Sequence, residues 1–186
     1  MRRTLIRLLF LLIASALLAP AAIPATAAPG SPVSVDGLAA ISASQYSPDS
    51  QECAMLKLIN DWRKQNGKTA LRLSRTLGAA AEHHSVEMTT YNYFSHTMRN
   101  GVTWSQNITK HGYPTGTYRA ENIARGNSTA AKTFTQWKNS SGHNANMLSS
   151  SYKAIGIGRS YGKNATYNWY WTSTFGSVTD HTITCA

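Results

Sequence analysis

The spacing of apolar residues changes after residue 139, and this change sets the class of fold that the 186-residue chain can adopt. Before it, apolar residues recur at the helical period. After it, they lie in two short β-rich runs, residues 154–158 and 167–175. A turn-forming stretch at residues 162–164 predicts that the two runs form a hairpin. Helices followed by an antiparallel strand pair predict an α+β fold, in which helices cover a small sheet.

Four helices are predicted from this spacing and from residues that favour helix ends. The first is the clearest, because Met55, Leu58, Ile59 and Trp62 recur at i, i+3, i+4 and i+7, and Gly67 follows as a C-terminal cap. The four predicted helices span residues 51–65, 75–91, 103–110 and 130–139.

The start of the chain is predicted to be a secretory signal peptide, residues 1–27. Three arginines precede an apolar run at residues 8–18, and small residues offer a cleavage site. A transmembrane helix is the alternative, but prolines follow the run, and no later segment has the roughly 20 apolar residues that a span requires. Residues 28–50 are then a flexible leader, and residues 51–186 form one domain.

The charge of the predicted mature chain argues against a nucleic-acid partner. The full sequence has 18 Lys and Arg residues against 8 Asp and Glu residues, a net charge of +10. Loss of the three signal-peptide arginines leaves 15 cations against 8 acids, a net charge of +7. These cations are scattered, whereas a nucleic-acid surface clusters Lys and Arg against the phosphates. An anionic cell wall, lipid headgroup or acidic glycan is the more economical partner.

Two cysteines lie at the two ends of the predicted domain. Cys53 is near the start of the first helix, and Cys185 is next to the last residue. In the oxidising environment outside the cell, a disulfide between them is the expected state. Two free thiols are the alternative, and zinc binding by one distant pair of cysteines is less favoured.

Three polar residues are candidates for one site. His96 follows an aromatic pair beyond the second helix, Glu121 lies in a non-helical segment, and His143 follows the glycine that ends the last helix. Alone, each histidine is interpreted as a surface or structural residue, and His84 on the second helix as a buried structural one. Together, two imidazoles and one carboxylate can hold a divalent ion that keeps one open position for water. Their intervals match no specific zinc motif.

Four stretches, read in order, resemble the CAP superfamily, also called the SCP domain and named for cysteine-rich secretory proteins, antigen 5 and pathogenesis-related 1. The stretches are AAAEHHSVEMTTYNYFSH, AENIARG, FTQWKNSSGHNANML and YKAIGIG. The resemblance extends over residues 52–175, nearly the whole predicted domain. The GHNANML form and the single cysteine pair are more similar to the bacterial secreted branch than to animal or plant members.

The resemblance implies an α-β-α sandwich, with a central antiparallel sheet flanked by helices and a cleft lined by two histidines and two acids. The histidines correspond to His96 and His143, and one acid to Glu121. The second acid is replaced by Ser140, which removes a negative charge, and Asn122 is counted with Ser140 among the cleft residues. Any zinc is then held by His96, His143, Glu121 and water. Weak binding that requires neutral imidazoles is expected.

A secreted, monomeric binding module is the favoured function, with an unidentified lipid, glycan or protein as its ligand. No catalytic residue is assigned. A hydrolase of cell-wall or protein substrates is the alternative, with Glu121 and a histidine acting on water, or with Ser95 or Ser141 as nucleophile. The serines are a weak basis, because the sequence contains no Gly-x-Ser-x-Gly elbow.

A third class is a surface binder of glycan or lipid that uses the aromatic residues between Tyr161 and Trp171. Aromatic residues that alternate along a strand more often belong to a core than to a carbohydrate platform. This interpretation therefore requires Trp169 and Trp171 to be exposed.

Overall fold

The computed structural model describes residues 42–185. The predicted signal peptide and residues 28–41 of the predicted leader lie outside the described residues. Within 42–185 the chain forms five helices and four strands. In chain order these are α1 Ser50–Gln65, β1 Arg72–Leu73, α2 Arg75–Tyr91, α3 Trp104–Lys110, β2 Arg119–Arg125, α4 Ala130–Lys138, α5 Ser141–Leu148, β3 Ala154–Tyr161 and β4 Trp169–Gly176.

The four strands form one mixed sheet in the order β1-β3-β4-β2. The predicted hairpin is confirmed, because β3 and β4 pair antiparallel from Ala154 opposite Gly176 to Tyr161 opposite Trp169. Strand β2 pairs antiparallel with β4. The short strand β1 pairs parallel with β3, so the sheet is not purely antiparallel.

Helices cover both faces of the sheet, which confirms the predicted sandwich. Ile155 and Ile157 of β3 belong to the main core cluster, which also contains Met55 of α1 and Trp137 of α4. The alternate residues of β3 face α2. There, a Cβ added to Gly156 would overlap the backbone of α2, so helix and strand are in direct backbone contact.

The end of the predicted leader packs on the domain. The Tyr46 side chain is buried, and its hydroxyl donates to the Ile157 carbonyl oxygen at 2.6 Å. Its ring lies against Gly78 of α2, where a Cβ would overlap it. Asp49 then caps α1 by accepting from the backbone of Gln51 and Glu52. The folded part of the chain therefore includes the residues that lead into α1.

The two chain ends of the domain are joined as predicted. Cys53 in α1 and Cys185 form a disulfide across a sequence separation of 132 residues. Just before it, the Ile183 N–H donates to the Leu73 carbonyl oxygen of β1 at 3.0 Å. The C-terminal segment is thus held beside the edge of the sheet.

Three elements were not predicted from the sequence: the short strand β1, and α5 and β2, which both carry residues of the candidate site. Residues 140–142 do not leave His143 in a loop, because α5 begins at Ser141 and His143 is its third residue. Glu121 lies in strand β2, in a stretch for which no strand was predicted. Among the described residues, no helix has both the length and the apolar character that crossing a bilayer requires.

Candidate functional site

The candidate site lies where α2, the loop that follows it, strand β2 and helix α5 meet. Helix α2 ends at Tyr91, and the left-handed backbone of its C-cap residue Asn92 (φ 51°) turns the chain toward His96. Glu121 projects from β2, and His143 lies on α5. His84 on α2 completes the group, since it contacts the same carboxylate as His96.

The Glu121 carboxylate is buried and bound on both oxygens. Its residue is 6% exposed. His84 Nδ1 lies 2.7 Å from Oε2, and His96 Nδ1 lies 2.8 Å from Oε1. A buried carboxylate requires such partners, because an isolated one would lose its hydration without compensation. The sequence prediction brought His96 and Glu121 together correctly and missed His84 as the second partner.

The two contacts of His84 require a proton between this histidine and Glu121. His84 Nε2 lies 3.1 Å from the Ser95 carbonyl oxygen, which can only accept, so Nε2 carries a proton. The 2.7 Å contact between Nδ1 and Glu121 Oε2 needs a second proton, held by the imidazole or by the carboxylic acid. In both forms, Oε2 is engaged by His84. Glu121 therefore orients the two histidines and is not a free base.

His96 is the exposed member of the pair. Half of its side chain is accessible, with a relative exposure of 50%, whereas the Glu121 side chain is 1% exposed. Its Nδ1 donates to Glu121, which leaves Nε2 for a ligand. The hydrogen bond to Glu121 raises the pKa of His96, against the opposing effect of partial burial.

His143 is half-buried beside Trp137, with 6.5 Å between the ring centroids. Its Nδ1 is buried and has no hydrogen-bond partner among residues 42–185. Burial lowers the pKa of His143, and the nearby charge of His96 lowers it further. The two histidines therefore have opposite pKa shifts, so His96 becomes protonated first as the pH falls.

Asn122 connects the strand to α5 and is fully buried. Its Nδ2 donates to the His143 carbonyl oxygen at 3.0 Å, and its Oδ1 accepts from Asn146 Nδ2 at 2.8 Å. Asn122, which the sequence predicted as a cleft residue, therefore also holds the backbone of His143. Ser140, which replaces the expected second acid, occupies the N-cap position of α5, and its side chain makes no capping hydrogen bond.

Side chains of α4 and α5 also bind the backbone of β2, which is an edge strand. Trp137 Nε1 donates to the Ile123 carbonyl oxygen at 3.1 Å. Asn146 Nδ2 lies 3.5 Å from the Glu121 carbonyl oxygen. These contacts hold the strand that carries Glu121 against α4 and against α5, which carries His143.

Few donor atoms of the candidate site remain available for the predicted metal ion. In the part of the chain that the structure describes, no group of three or more His, Cys, Asp or Glu residues is arranged to hold a metal ion. Glu121 has both oxygens engaged by histidines, so it fits an outer position that orients His96 better than a direct ligand position. The imidazoles of His96 and His143 are the remaining donors.

The residues of the hydrolase alternative are not arranged as an activated nucleophile. Ser95 Oγ accepts from the Thr97 N–H at 3.0 Å, within its own loop. Ser141 is exposed in the first turn of α5. Among the described residues, neither hydroxyl is hydrogen-bonded to a histidine, as nucleophile activation would require.

The aromatic platform that the glycan alternative requires is only partly formed. Trp171 is fully buried, and its Nε1 donates to the Asn127 carbonyl oxygen at 2.7 Å. Trp169 is half-buried, with the Arg159 guanidinium carbon 4.7 Å from its ring centre. Tyr161 and Tyr167 are the exposed aromatic residues of this region. The two tryptophans therefore do not form a shared flat surface.

His84 was correctly predicted as a buried structural histidine, but its link to the site was not. It is fully buried at 0% exposure, while its neighbour His83 is half-buried and bound to Asn107. The available signal was the carboxylate itself, because a buried glutamate with one exposed histidine still needs a second polar partner.

Comparisons with known proteins agree with the fold. The family model described as "CAP: Cysteine-rich secretory protein family" matches residues 56–175. The uncharacterized protein YkwD of Bacillus subtilis (strain 168) is 31% identical over 107 residues, which cover 58% of this chain and 41% of that protein. The chain therefore spans less than half the length of this curated relative.

Solved structures show the same fold. An extracellular protein containing a SCP domain from Bacillus anthracis str. Ames has a TM-score of 0.60 at 25% identity, over 67% of this chain and 39% of that chain. An outer surface protein of Borrelia burgdorferi has a TM-score of 0.60 at 22% identity, over 70% of this chain and 96% of that chain. At 22% identity, the likeness to the Borrelia burgdorferi protein concerns the fold alone.

Proposed function

Because the chain belongs to the CAP family of cysteine-rich secretory proteins, we propose that it is a secreted binding module whose ligand site is the cleft of His96, Glu121 and His143. The predicted signal peptide supports secretion, as does the disulfide, which persists in an oxidising environment. The B. anthracis relative is described as extracellular, which agrees with this location.

The observation that carries the binding proposal is the bonding of Glu121. A general base must be able to accept a proton from the reacting group, and both oxygens of this carboxylate are already held by His84 and His96. The hydrogen bond between His96 Nδ1 and Glu121 also fixes the orientation of the His96 ring, and it leaves Nε2 available for a ligand. A ligand site benefits from such preorganisation, because little freedom is lost on binding.

The chemistry of the cleft favours a ligand group that accepts hydrogen bonds. His96 has a raised pKa, so it is more often cationic near neutral pH than an ordinary histidine. A carboxylate, phosphate or sugar hydroxyl could accept a hydrogen bond from the Nε2–H group of His96. A lipid headgroup, a glycan or a protein side chain can each supply such a group.

The proposal is tested with two defined probes, soluble peptidoglycan fragments and phosphatidylglycerol vesicles. We expect at least one of them to shift the imidazole NMR signal of His96 and to bind at least tenfold more weakly to the His96→Ala variant. His181→Ala is the matched control, since His181 is exposed and lies outside the cleft. Equal binding by the two variants would place the ligand elsewhere and contradict the proposal.

The same proteins separate binding from hydrolysis. We expect that substitutions in the cleft do not change any cleavage of casein or peptidoglycan. If the wild type and the His181→Ala variant cleave a substrate and the Glu121→Ala variant does not, the protein is a hydrolase and the binding proposal is wrong.

We further propose that the cleft binds zinc weakly through the imidazoles of His96 and His143. Zinc would supply a Lewis acid and a bound water when present. Calorimetry should give weak zinc binding that becomes weaker as the pH is lowered from 8 to 6, because protons compete with zinc for the imidazole nitrogens. Binding that is the same in the His96→Ala, His143→Ala double variant would contradict this assignment.

A further inference from the structure

A second cavity, which shares no residue with the cleft, lies between the end of α1, strand β1 and the loop that follows α5. Its volume is about 380 Å³, which lies within the ~300–1,000 Å³ typical of small-molecule sites. The lining residues are Arg63, Gly67, Lys68, Thr69, Ala70, Arg72, Ser150, Tyr152, Lys153 and Thr179. We call this cavity the basic pocket.

All charged residues that line the basic pocket are cations. Four of its ten lining residues are Arg or Lys, and none is Asp or Glu. None of these four cations forms an ion pair with a carboxylate among residues 42–185, where the Lys and Arg ion pairs join Lys57 to Asp61 and Arg159 to Asp49. Elsewhere the basic residues of this chain are scattered, so a cavity with four unpaired cations is a local exception.

Arg63 is the most informative residue of the pocket, because it is 1% exposed. Its Nε donates to the Thr69 carbonyl oxygen at 2.7 Å, and its Nη1 donates to the carbonyl oxygens of Met147 at 2.6 Å and Ser149 at 2.9 Å. These bonds use three of the five N–H groups of a guanidinium. The described residues supply no acceptor for the two N–H groups of Nη2.

The described surroundings of Arg63 satisfy three of its N–H groups but supply no carboxylate to offset its charge. All three acceptors are neutral carbonyl groups, and burial lowers the pKa of the guanidinium. A buried charge without a counter-charge is costly, so buried cations are normally paired with an anion. The structure therefore holds a buried cation, with spare donors, in the wall of a cavity that contains no acid.

The rest of the lining suits an anion that has several oxygens. Arg72 and Lys153 are exposed at the rim, and Lys68 Nζ lies 3.2 Å from Ser150 Oγ. Guanidinium groups match the geometry of phosphate oxygens, and ammonium groups bind phosphate as point charges. Hydroxyl groups of Thr69, Ser150 and Thr179 provide additional donors. A phosphate group uses this mixture of donors better than a planar carboxylate, which has two oxygens.

We propose that the basic pocket binds a phosphate ester, with Arg63 and Arg72 on the phosphate oxygens and Lys68 and Lys153 around them. The volume leaves room for the ester group as well as the phosphate. The phosphate ester can be a soluble molecule or the headgroup of a phospholipid, and the chemistry of recognition is the same for both.

The first test uses inorganic phosphate and glycerol 3-phosphate at constant ionic strength, with binding followed by amide NMR shifts. We expect saturable shifts at Arg72, Ser150 and Lys153, and tighter binding of the ester than of inorganic phosphate. The Arg72→Gln, Lys153→Gln double variant should bind at least tenfold more weakly. Both substituted side chains are exposed, so the fold is preserved.

The matched control is the Lys132→Gln, Lys163→Gln double variant. It removes the same two charges from exposed positions outside the pocket, so it retains full binding if the site is specific. Equal loss of binding in the two double variants would show a general effect of net charge and overturn the proposal. Shifts that do not saturate, or that lie away from the pocket, would overturn it as well.

Phosphatidylglycerol vesicles distinguish the two sources of the ester. Vesicle binding that is lost in the pocket variant and kept in the control variant supports a lipid headgroup. Binding of glycerol 3-phosphate without vesicle binding supports a soluble ester. Because His96→Ala leaves the basic pocket intact, its effect on the cleft and the effect of the pocket variant are measured independently.

Discussion

At the scale of single residues, Glu121 determines what the cleft can do. One buried carboxylate orients a buried histidine, His84, and a half-exposed histidine, His96. The sequence indicates His96 and Glu121 as site residues, because Glu121 lies outside the predicted helices and His96 follows an aromatic pair. It does not indicate that both oxygens of the carboxylate are used. That property depends on the distance between α2 and β2, which no local pattern contains.

The raised pKa of His96 gives a pH dependence with a definite sign. Protonated His96 stabilises the fold through Glu121, and this contribution is fully present below the unfolded-state value of about 6.5. It is lost as the pH rises through the raised folded-state pKa. We therefore expect His96→Ala to lower the free energy of unfolding more at pH 5.5 than at pH 8.5, as measured by urea unfolding.

The cause of this shift is tested separately by NMR titration of His96. In the Glu121→Gln variant, the neutral amide cannot hold the imidazolium by charge, so the pKa of His96 should return toward about 6.5. A raised pKa that persists in this variant would assign the shift to another group.

At the scale of elements, the contact between α2 and β3 sets the position of the site. Gly156 and Gly158 let the backbone of α2 lie directly on the strand, and this placement determines how far His84 is from β2. A glycine within a strand is typical of such a close backbone approach. The close packing is therefore a condition for the contact between His84 and Glu121.

Gly158→Ala should destabilise the protein by about 3 kcal/mol, since the added Cβ overlaps the backbone at Glu82, which cannot move aside as a side chain can. Gly142→Ala is the matched control, because nothing lies within 4 Å of its Cβ position in α5. That change should be neutral or stabilising by up to about 1 kcal/mol. Thermal and urea unfolding measure both, and similar effects at the two sites would contradict the packing argument.

Elements with strong local signals could be predicted from the sequence, and those stabilised by distant contacts could not. Helices α1 to α4 and the β3–β4 hairpin were predicted close to their observed bounds. Strand β2 was missed because the polar pair Glu121 and Asn122 at its centre is buried by partners on α2 and α5. Helix α5 was missed because it is short, contains Gly142, and has an N-cap residue, Ser140, whose side chain makes no capping hydrogen bond.

At the scale of the whole molecule, the disulfide joins the first helix to the last described residue. Closing so long a loop restricts the unfolded chain more than the folded one. Removing it with a Cys53→Ala, Cys185→Ala double variant should cost about 2–5 kcal/mol. Urea unfolding of the oxidised wild type and the variant measures this difference. An unchanged midpoint at an unchanged slope would show that packing alone holds the two ends together.

The hydrogen bonds along the two edges of the sheet have a consequence for behaviour at high concentration. An exposed edge strand is a template for pairing with another molecule. On one side, β1 is only two residues long, and the Leu73 carbonyl oxygen is already taken by Ile183. On the other side, Trp137 binds the Ile123 carbonyl oxygen of β2. Neither edge is free to start a shared sheet, so the folded domain should resist fibril formation and aggregate only after one of these edges has opened.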